Sequence, residues 1–206
     1  MKNFDNSFIN GAIKYIAGVD EAGRGPLAGP VVSASVIFDE NTFISGVNDS
    51  KKLSEKEREL LFPEIIGKSL SYSVALVSHG KIDSINILQA SLLSMKVAVS
   101  RLKIRPDLIL IDGNKIFSSE IPAISVVKGD SKSFAIAAAS IIAKVTRDRI
   151  MKRMDGYFPQ YLWVKNKGYA TKEHIAAIKI HGSSPFHRKT FLTKILPGEY
   201  QEKLSL

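Results

Sequence analysis

Short apolar runs alternate along this chain with stretches of three-and-four spacing, a pattern that predicts an α/β fold. Tyr15 to Val19 is an apolar run that ends in two adjacent carboxylates, Asp20 and Glu21, and is then broken by Gly23, Gly25, Pro26, Gly29 and Pro30. An apolar run bounded by Gly and Pro predicts a buried strand. Val31 to Phe38 is rich in β-branched residues and predicts a second strand, and Ser71 to Ser78 alternates as a third. Between them, Ser54 with Glu57 three residues on is a capping box. It predicts a helix from there to about Phe62, punctuated by Pro63 and Gly67.

Ile85, Leu88, Leu92, Met95, Val99 and Leu102 share one face of a long helix that closes before Pro106. Asp107 to Ile111 predicts a fourth, fully buried strand ending at Asp112 and Gly113, and Ile121 to Val127 a fifth. Asp130 then stands at the expected N-cap of an Ala/Ile-rich helix from Ser131 to about Met151. Beyond Gly156 the chain is aromatic and basic without a clear period. Thr171 caps a short helix ending near Gly182, and S-P-F-H-R-K-T-F and P-G-E-Y follow. The first two strands follow each other with little helix between them, so the sheet is expected to be mixed. The division expected is a short leader over 1–14, a core over 15–155 and a C-terminal helical substrate-binding region over 156–206.

Charge changes this picture more than composition does. The 206 residues have an ordinary 45% hydrophobic content, but 29 Lys and Arg against 20 Asp and Glu leave a net charge of +9. That excess points to a polyanion, with nucleic acid first, although solvated surface charge produces the same count. There is no cysteine, so disulfides, thiolate metal sites and thiol nucleophiles are excluded. The N-terminus has an early acid and no apolar core of a signal peptide, and no run approaches the roughly 18 apolar residues of a membrane span. A soluble, cytoplasmic protein without membrane partners is expected.

Acids at three strand ends are the candidate chemistry: Asp20 with Glu21, Asp112, and Asp130 one loop after the fifth strand. Open α/β sheets place ligands at the carboxyl ends of their strands. If these strands are neighbours, four carboxylates converge, and hard divalent cations are what such a cluster accommodates. Mg²⁺ and Mn²⁺ take oxygen ligands. Two ions about 4 Å apart are a standard device for cleaving phosphodiesters. Taken singly, Asp130 is more often a helix cap than a ligand, and Asp112 before Gly113 is about as often a turn residue. Adjacent Asp20 and Glu21 are harder to explain as structure, since alternation turns one of them inward.

Gly23-Arg24-Gly25 lies beside these acids, where glycines permit close backbone approach to a sugar hydroxyl or phosphate and Arg24 could partner an anion. Lys51, Lys52, Lys128 and Lys132 are candidate phosphate clamps or plain surface. Lys165, Lys167, Tyr169, Lys172, His187, Arg188 and Lys189 mix basic and aromatic groups suited to a backbone and a stacked ring. Trp163 reads equally as core or contact, His174 and His181 read as structural, and no G-x-S-x-G elbow supports serine hydrolysis.

G-V-D-E-A-G-R-G-P-L-A-G-P, D-S-K-K-L, L-I-D-G, V-V-K-G-D-S-K-S, I-A-A-A-S-I-I-A-K-V-T-R-D and N-K-G-Y-A-T-x-x-H occur in this order. Together they resemble the ribonuclease HII family, from about Tyr15 to Phe191; the G-R-G loop is of that type, whereas the related type HIII carries G-K-G. The resemblance implies a ribonuclease H-like mixed five-stranded sheet flanked by helices, with a small C-terminal helical region. It implies a monomeric endoribonuclease that cuts the RNA strand of RNA–DNA hybrids and single ribonucleotides embedded in duplex DNA. Hydrolysis would use two Mg²⁺ or Mn²⁺ ions and leave a 3′-hydroxyl and a 5′-phosphate. The family's metal-centre acids fall on Asp20, Glu21, Asp112 and Asp130, its 2′-hydroxyl-sensing loop on Gly23, Arg24 and Gly25, and its junction-sensing tyrosine on Tyr169. With metals neutralising the acids, Arg24 is expected to face substrate and not the carboxylates; Lys51, Lys128 and Arg188 are the further candidate substrate contacts. The family commonly has Gly after the tyrosine where this chain has Ala170, which a positive φ would strain. A binding module without catalysis, and a nuclease of the same superfamily directed at branched DNA, are the rival classes.

Overall fold

In the computed structural model, which describes residues 1–193 and 195–196, the five strands and four helices that the pattern predicts occur in the expected order, with three short helices besides. In chain order the elements are α1 (Lys2–Asn6), β1 (Ile16–Ala22), β2 (Val31–Ile37), α2 (Glu55–Lys68), β3 (Ser71–Val77) and α3 (His79–Ser100). After these come β4 (Leu108–Asp112), β5 (Ala123–Val126), α4 (Phe134–Asp155), α5 (Trp163–Asn166), α6 (Lys172–His181) and α7 (Lys189–Leu192). The expected P-G-E-Y stretch lies outside the described residues.

The sheet is mixed and five-stranded, in the order β3-β2-β1-β4-β5. β1, β2 and β3 pair antiparallel, while β1, β4 and β5 run parallel. Helix α4 lies on one face and α3 on the other. The α4 side buries Ala34, Val36, Ala135, Ala138, Ala139 and Ile142 in one cluster; the α3 side buries Val19, Ile109 and Ile111 against Met95 and Val99. Alanines along α4 let the helix settle close to the strands. Closest of all is Gly18 of β1, where a Cβ would stand 2.2 Å from the carbonyl carbon of Ala135.

Three expectations change, each for a local reason. Helix α2 does not stop at Phe62 but carries Pro63 and Gly67 inside it to Lys68; its capping box is present as predicted, and Leu61 and Ile65 lie buried along one side. Helix α3 begins at His79, capped by Ser78, and is bent at Asn86, whose φ of 64° breaks the regular turn. By length and composition α3 could cross a membrane; here it lays Ile82, Ala90, Met95, Ala98 and Val99 inward. Asp130 does not cap α4. Ser133 does, accepting from the Ile136 amide, while Asp130 sits in a preceding 3₁₀ turn. The short leader packs on the core: Phe4, Phe8, Ile9 and Ile13 lie against Ile16, Leu108 and Ile136, and Asp5 accepts from the Ala135 amide at 2.9 Å.

Residues 156 onward build a second core on α4 around Met151, Tyr161, Trp163 and Ile178. Trp163 is fully buried, so its reading as core holds. Its indole N–H donates to His174 Nε2 at 3.0 Å, which also lies 3.1 Å from His187 Nε2. His187 Nδ1 accepts from the Ser184 amide at 2.9 Å, so its proton sits on Nε2 and the ring is neutral. Burial, then the neighbouring His174, pushes the His187 pKa down to about 3.

Two outcomes follow from this packing. Gly18→Ala forces β1 and α4 apart and should lower stability by about 3 kcal/mol, read as a fall in the urea midpoint; an unchanged midpoint contradicts the close approach. In the pH range between the ordinary value of 6.5 and about 3, unfolded His187 binds a proton and the folded form does not. Stability should therefore fall as pH is lowered through that window, with a shallower slope in His187→Gln when urea midpoints are compared.

Candidate active site

Parallel pairing of β1 with β4 makes the site. Val19 lies opposite Ile111, so one step further along, Asp20 and Asp112 emerge side by side at the carboxyl ends of neighbouring strands. Alternation then separates the adjacent acids. Asp20 belongs with Gly18 to the α4 face, and Glu21 with Val19 to the α3 face, where it lines a cavity of about 210 Å³ with Arg24, Leu88, Leu92, Asp112, Asn114 and Lys115. Asp112 pairs in register with Val126 of β5, and the turn after β5 returns Asp130 to the same place. The Gly129 amide donates to Asp112 Oδ1 at 2.7 Å. Gly129 has no room for a side chain there: a Cβ would come within 2.6 Å of Ile136 and 3.2 Å of Asp112.

Crowding marks the electrostatics of all three strand-end acids. Burial, then Glu21 and Asp112, raise the Asp20 pKa well above the carboxylate range. Burial raises Glu21 as well, with Asp112 adding and Arg24 opposing. Asp112 is raised by burial and by Asp130. Two cations answer this repulsion. Arg24 Nη1 stands 3.3 Å from Glu21 Oε1, and Lys51 Nζ 3.2 Å from Asp130 Oδ2. Burial works against the Lys51 charge, but Asp130, Asp20 and Asp49 outweigh it and its pKa rises. Arg24 is thus a counter-ion to Glu21 as well as a loop residue, a correction to the expectation that it leaves the acids alone.

Glu21 Oε2 is buried and has no hydrogen-bond partner among the described residues, a costly state for a carboxylate oxygen. The donor set is all oxygen, without thiolate or imidazole, which suits a hard divalent cation. Among the described residues no three acids or histidines already close on one point tightly enough to cage an ion. The acids are gathered and partly neutralised by Arg24 and Lys51.

The remaining candidates divide. Tyr169 is half exposed and stands over the G-R-G loop, since a Cβ on Gly25 would lie 3.7 Å from its ring. Ala170 does not need glycine: the left-handed residues here are Lys167 and Gly168, with φ of 51° and 85°. Lys128 is exposed and left-handed at the turn before Asp130. Arg188 was expected to touch substrate, but it is fully buried and donates to the carbonyls of Gly23, Arg24 and Gly29. Lys167 and His187 are buried too, so the basic and aromatic surface expected over the C-terminal region is smaller than the count of residues suggested. Arg147, fully buried beneath the loop, was missed as a site residue. Its signal was legible: it falls on the buried stripe Ile136, Ser140, Ala143, Arg147 and Met151 of α4, where a charge needs a reason.

Comparison with known proteins agrees with this geometry. The model of the family described as Ribonuclease HII matches residues 17–194. The ribonuclease HII of Rickettsia rickettsii (strain Sheila Smith) is 54% identical over 176 residues, 85% of this chain and 90% of the relative. That of Rickettsia canadensis (strain McKiel) is 53% identical over 85% of this chain and 89% of its own. Among solved structures, the ribonuclease H2 from Pyrococcus horikoshii OT3 superposes with a TM-score of 0.74 at 32% identity, covering 88% of this chain and 96% of that one. The ribonuclease HII of Archaeoglobus fulgidus, solved with PCNA, does so with a TM-score of 0.68 at 28% identity, over 84% and 93%.

Proposed function

The chain belongs to the ribonuclease HII family, and on that premise we propose that it cuts the RNA strand of RNA–DNA hybrids and incises duplex DNA beside a single embedded ribonucleotide. Membership makes it a ribonuclease H, a hydrolase; the substrate detail and the residue roles are the proposal. The observation that carries it is the β1–β4 register, which sets Asp20 beside Asp112 and draws in Glu21 and Asp130.

The four carboxylates are the residues that would hold Mg²⁺ or Mn²⁺. When bound, two such ions activate water and stabilise the leaving oxygen of an in-line displacement. The raised pKa values of Asp20, Glu21 and Asp112 express how strongly this cluster favours an added positive charge. The orphaned Glu21 Oε2 is an acceptor waiting for one. Water attacks phosphorus on the 5′ side of the ribonucleotide; the bond to the preceding O3′ breaks, leaving a 3′-hydroxyl and a 5′-phosphate. Lys51 holds Asp130 in place and offers a cation near the phosphate. The 2′-hydroxyl separates RNA from DNA, and the exposed Arg24-Gly25 turn with the Tyr169 ring beside it forms the surface suited to reading it. The +9 net charge attracts the duplex backbone, and a chain without cysteine fits work in the reducing cytoplasm.

Two duplexes of one sequence, all-DNA and with a single ribonucleotide, test the reading: with Mn²⁺ only the second should be cut, on its 5′ side. Equal cutting of both, or of neither, overturns it. Asp20→Asn should lower turnover by roughly 10³-fold or more while leaving duplex affinity nearly unchanged. It should also diminish the rise in unfolding temperature that Mn²⁺ gives the unsubstituted protein. Turnover close to the original would remove Asp20 from the centre.

A further inference from the structure

Beneath the G-R-G turn lie two buried guanidiniums whose six bonded donors all go to backbone carbonyls and none to a carboxylate. Arg188 donates to Gly23 at 2.6 Å, Arg24 at 2.9 Å and Gly29 at 3.0 Å. Arg147 donates to Pro30 at 3.1 Å, Ala28 at 3.1 Å and Lys167 at 2.9 Å. Gly23 makes room for this arrangement. Its φ is 98°, and a Cβ on it would lie 2.1 Å from Arg147 Nε. Strands of backbone from the C-terminal region stitch the same loop: Leu27 donates to Gly168 at 2.8 Å, Gly29 to Phe186 at 3.0 Å, and Arg188 back to Leu27 at 2.8 Å.

Peptide planarity converts these bonds into an orientation. In a trans peptide the carbonyl of one residue and the N–H of the next point opposite ways, and no peptide among the described residues is cis. With the Gly23 and Arg24 carbonyls drawn inward onto Arg188, the N–H groups of Arg24 and Gly25 are turned outward. Both residues are exposed, and among the described residues neither N–H has a backbone acceptor. We propose that Arg188 and Arg147 are positioning residues for ribonucleotide recognition, which hold two consecutive loop N–H groups toward the ribose so that its 2′-hydroxyl oxygen accepts from them.

The charge of the clamp has a use that neutral donors would lack. Two like charges buried side by side without a carboxylate are costly; burial, then Arg147, lowers the Arg188 pKa to about 9. A cation bonded to a carbonyl polarises that peptide and strengthens the N–H on its far side as a donor. Arg147 couples the second recognition element to the first. It holds the Lys167 carbonyl just before the Gly168 turn, and its Cζ lies 5.9 Å from the centre of the Tyr169 ring. Lysine cannot replace either fork, because one ammonium cannot span three carbonyls in a plane.

This inference rests on the function proposed above, and the same pair of duplexes keeps the two apart. The unsubstituted protein must first cut the ribonucleotide duplex alone; if it does not, the proposed function fails and the inference with it. Given that result, Arg188→Lys should raise KM for the ribonucleotide duplex about tenfold, the effect of one good hydrogen bond lost. Its kcat should change far less, and its affinity for the all-DNA duplex should stay as it was. An unchanged KM, or an equal loss on both duplexes, overturns the inference and leaves Arg188 a plain structural staple. Gly25→Pro decides the matter if Arg188→Lys does not fold: it deletes one outward N–H on an exposed residue and touches neither guanidinium. The same selective loss is expected, and normal recognition by Gly25→Pro overturns the inference.

Discussion

Mutual repulsion among four carboxylates is the constraint to which the rest of this molecule answers. Parallel β1 and β4 place Asp20 beside Asp112, the Gly129 turn brings Asp130 to them, and burial denies all of them full hydration. A cluster of this kind does not persist unless the surrounding fold over-determines it. Here that role falls to α4, whose first turn reaches the sheet through the gap at Gly18 and whose own N-terminus is capped by Ser133 and Asp5. Positive charge is then supplied from two directions, by Arg24 at Glu21 and by Lys51 at Asp130.

A second cationic layer lies behind the first. Among the described residues Arg147 and Arg188 pair with no acid; they hold carbonyls of the loop over 23–30. The acid cluster and the loop over 23–30 are thereby built on opposite principles, one of crowded anions beside cations and one of buried cations bonded to dipoles. The C-terminal region matters to both. Its Trp163–His174–His187 stack sits beneath the backbone of Tyr169, whose carbonyl lies 2.8 Å from His174 Nδ1, and Arg188 follows His187 directly. The loop over 23–30 and Tyr169 are accordingly tied to a packed core.

Much of this was legible in the chain. Five apolar runs predicted five strands, and acids at the ends of three of them marked the site before any strand order was known. Family motifs in sequence supplied the loop and the tyrosine. The errors were local. Pro63 reads as a stop but is carried inside α2. Asp130 reads as a helix cap because it stands near the start of an Ala-rich run, yet Ser133 three residues later has the same capacity and takes the position. Ala170 reads as strained only while the left-handed turn is placed after the tyrosine; it lies before it, at Lys167 and Gly168.

What the sequence determined by itself was periodicity, punctuation and the chemical character of the site, since these depend on neighbours a few residues apart. Side chains alternate with a period of two along β1, so Asp20 and Glu21 had to part whatever the fold. Partnership across the chain was decided only in three dimensions. Arg188 carries the same charge as Lys128 and Arg24, and nothing within a few residues tells a phosphate contact from a buried clamp. That difference arises because the loop over 23–30 and the segment around 186–188, more than 150 residues apart in sequence, are bonded to each other, which leaves Arg188 no exposed surface.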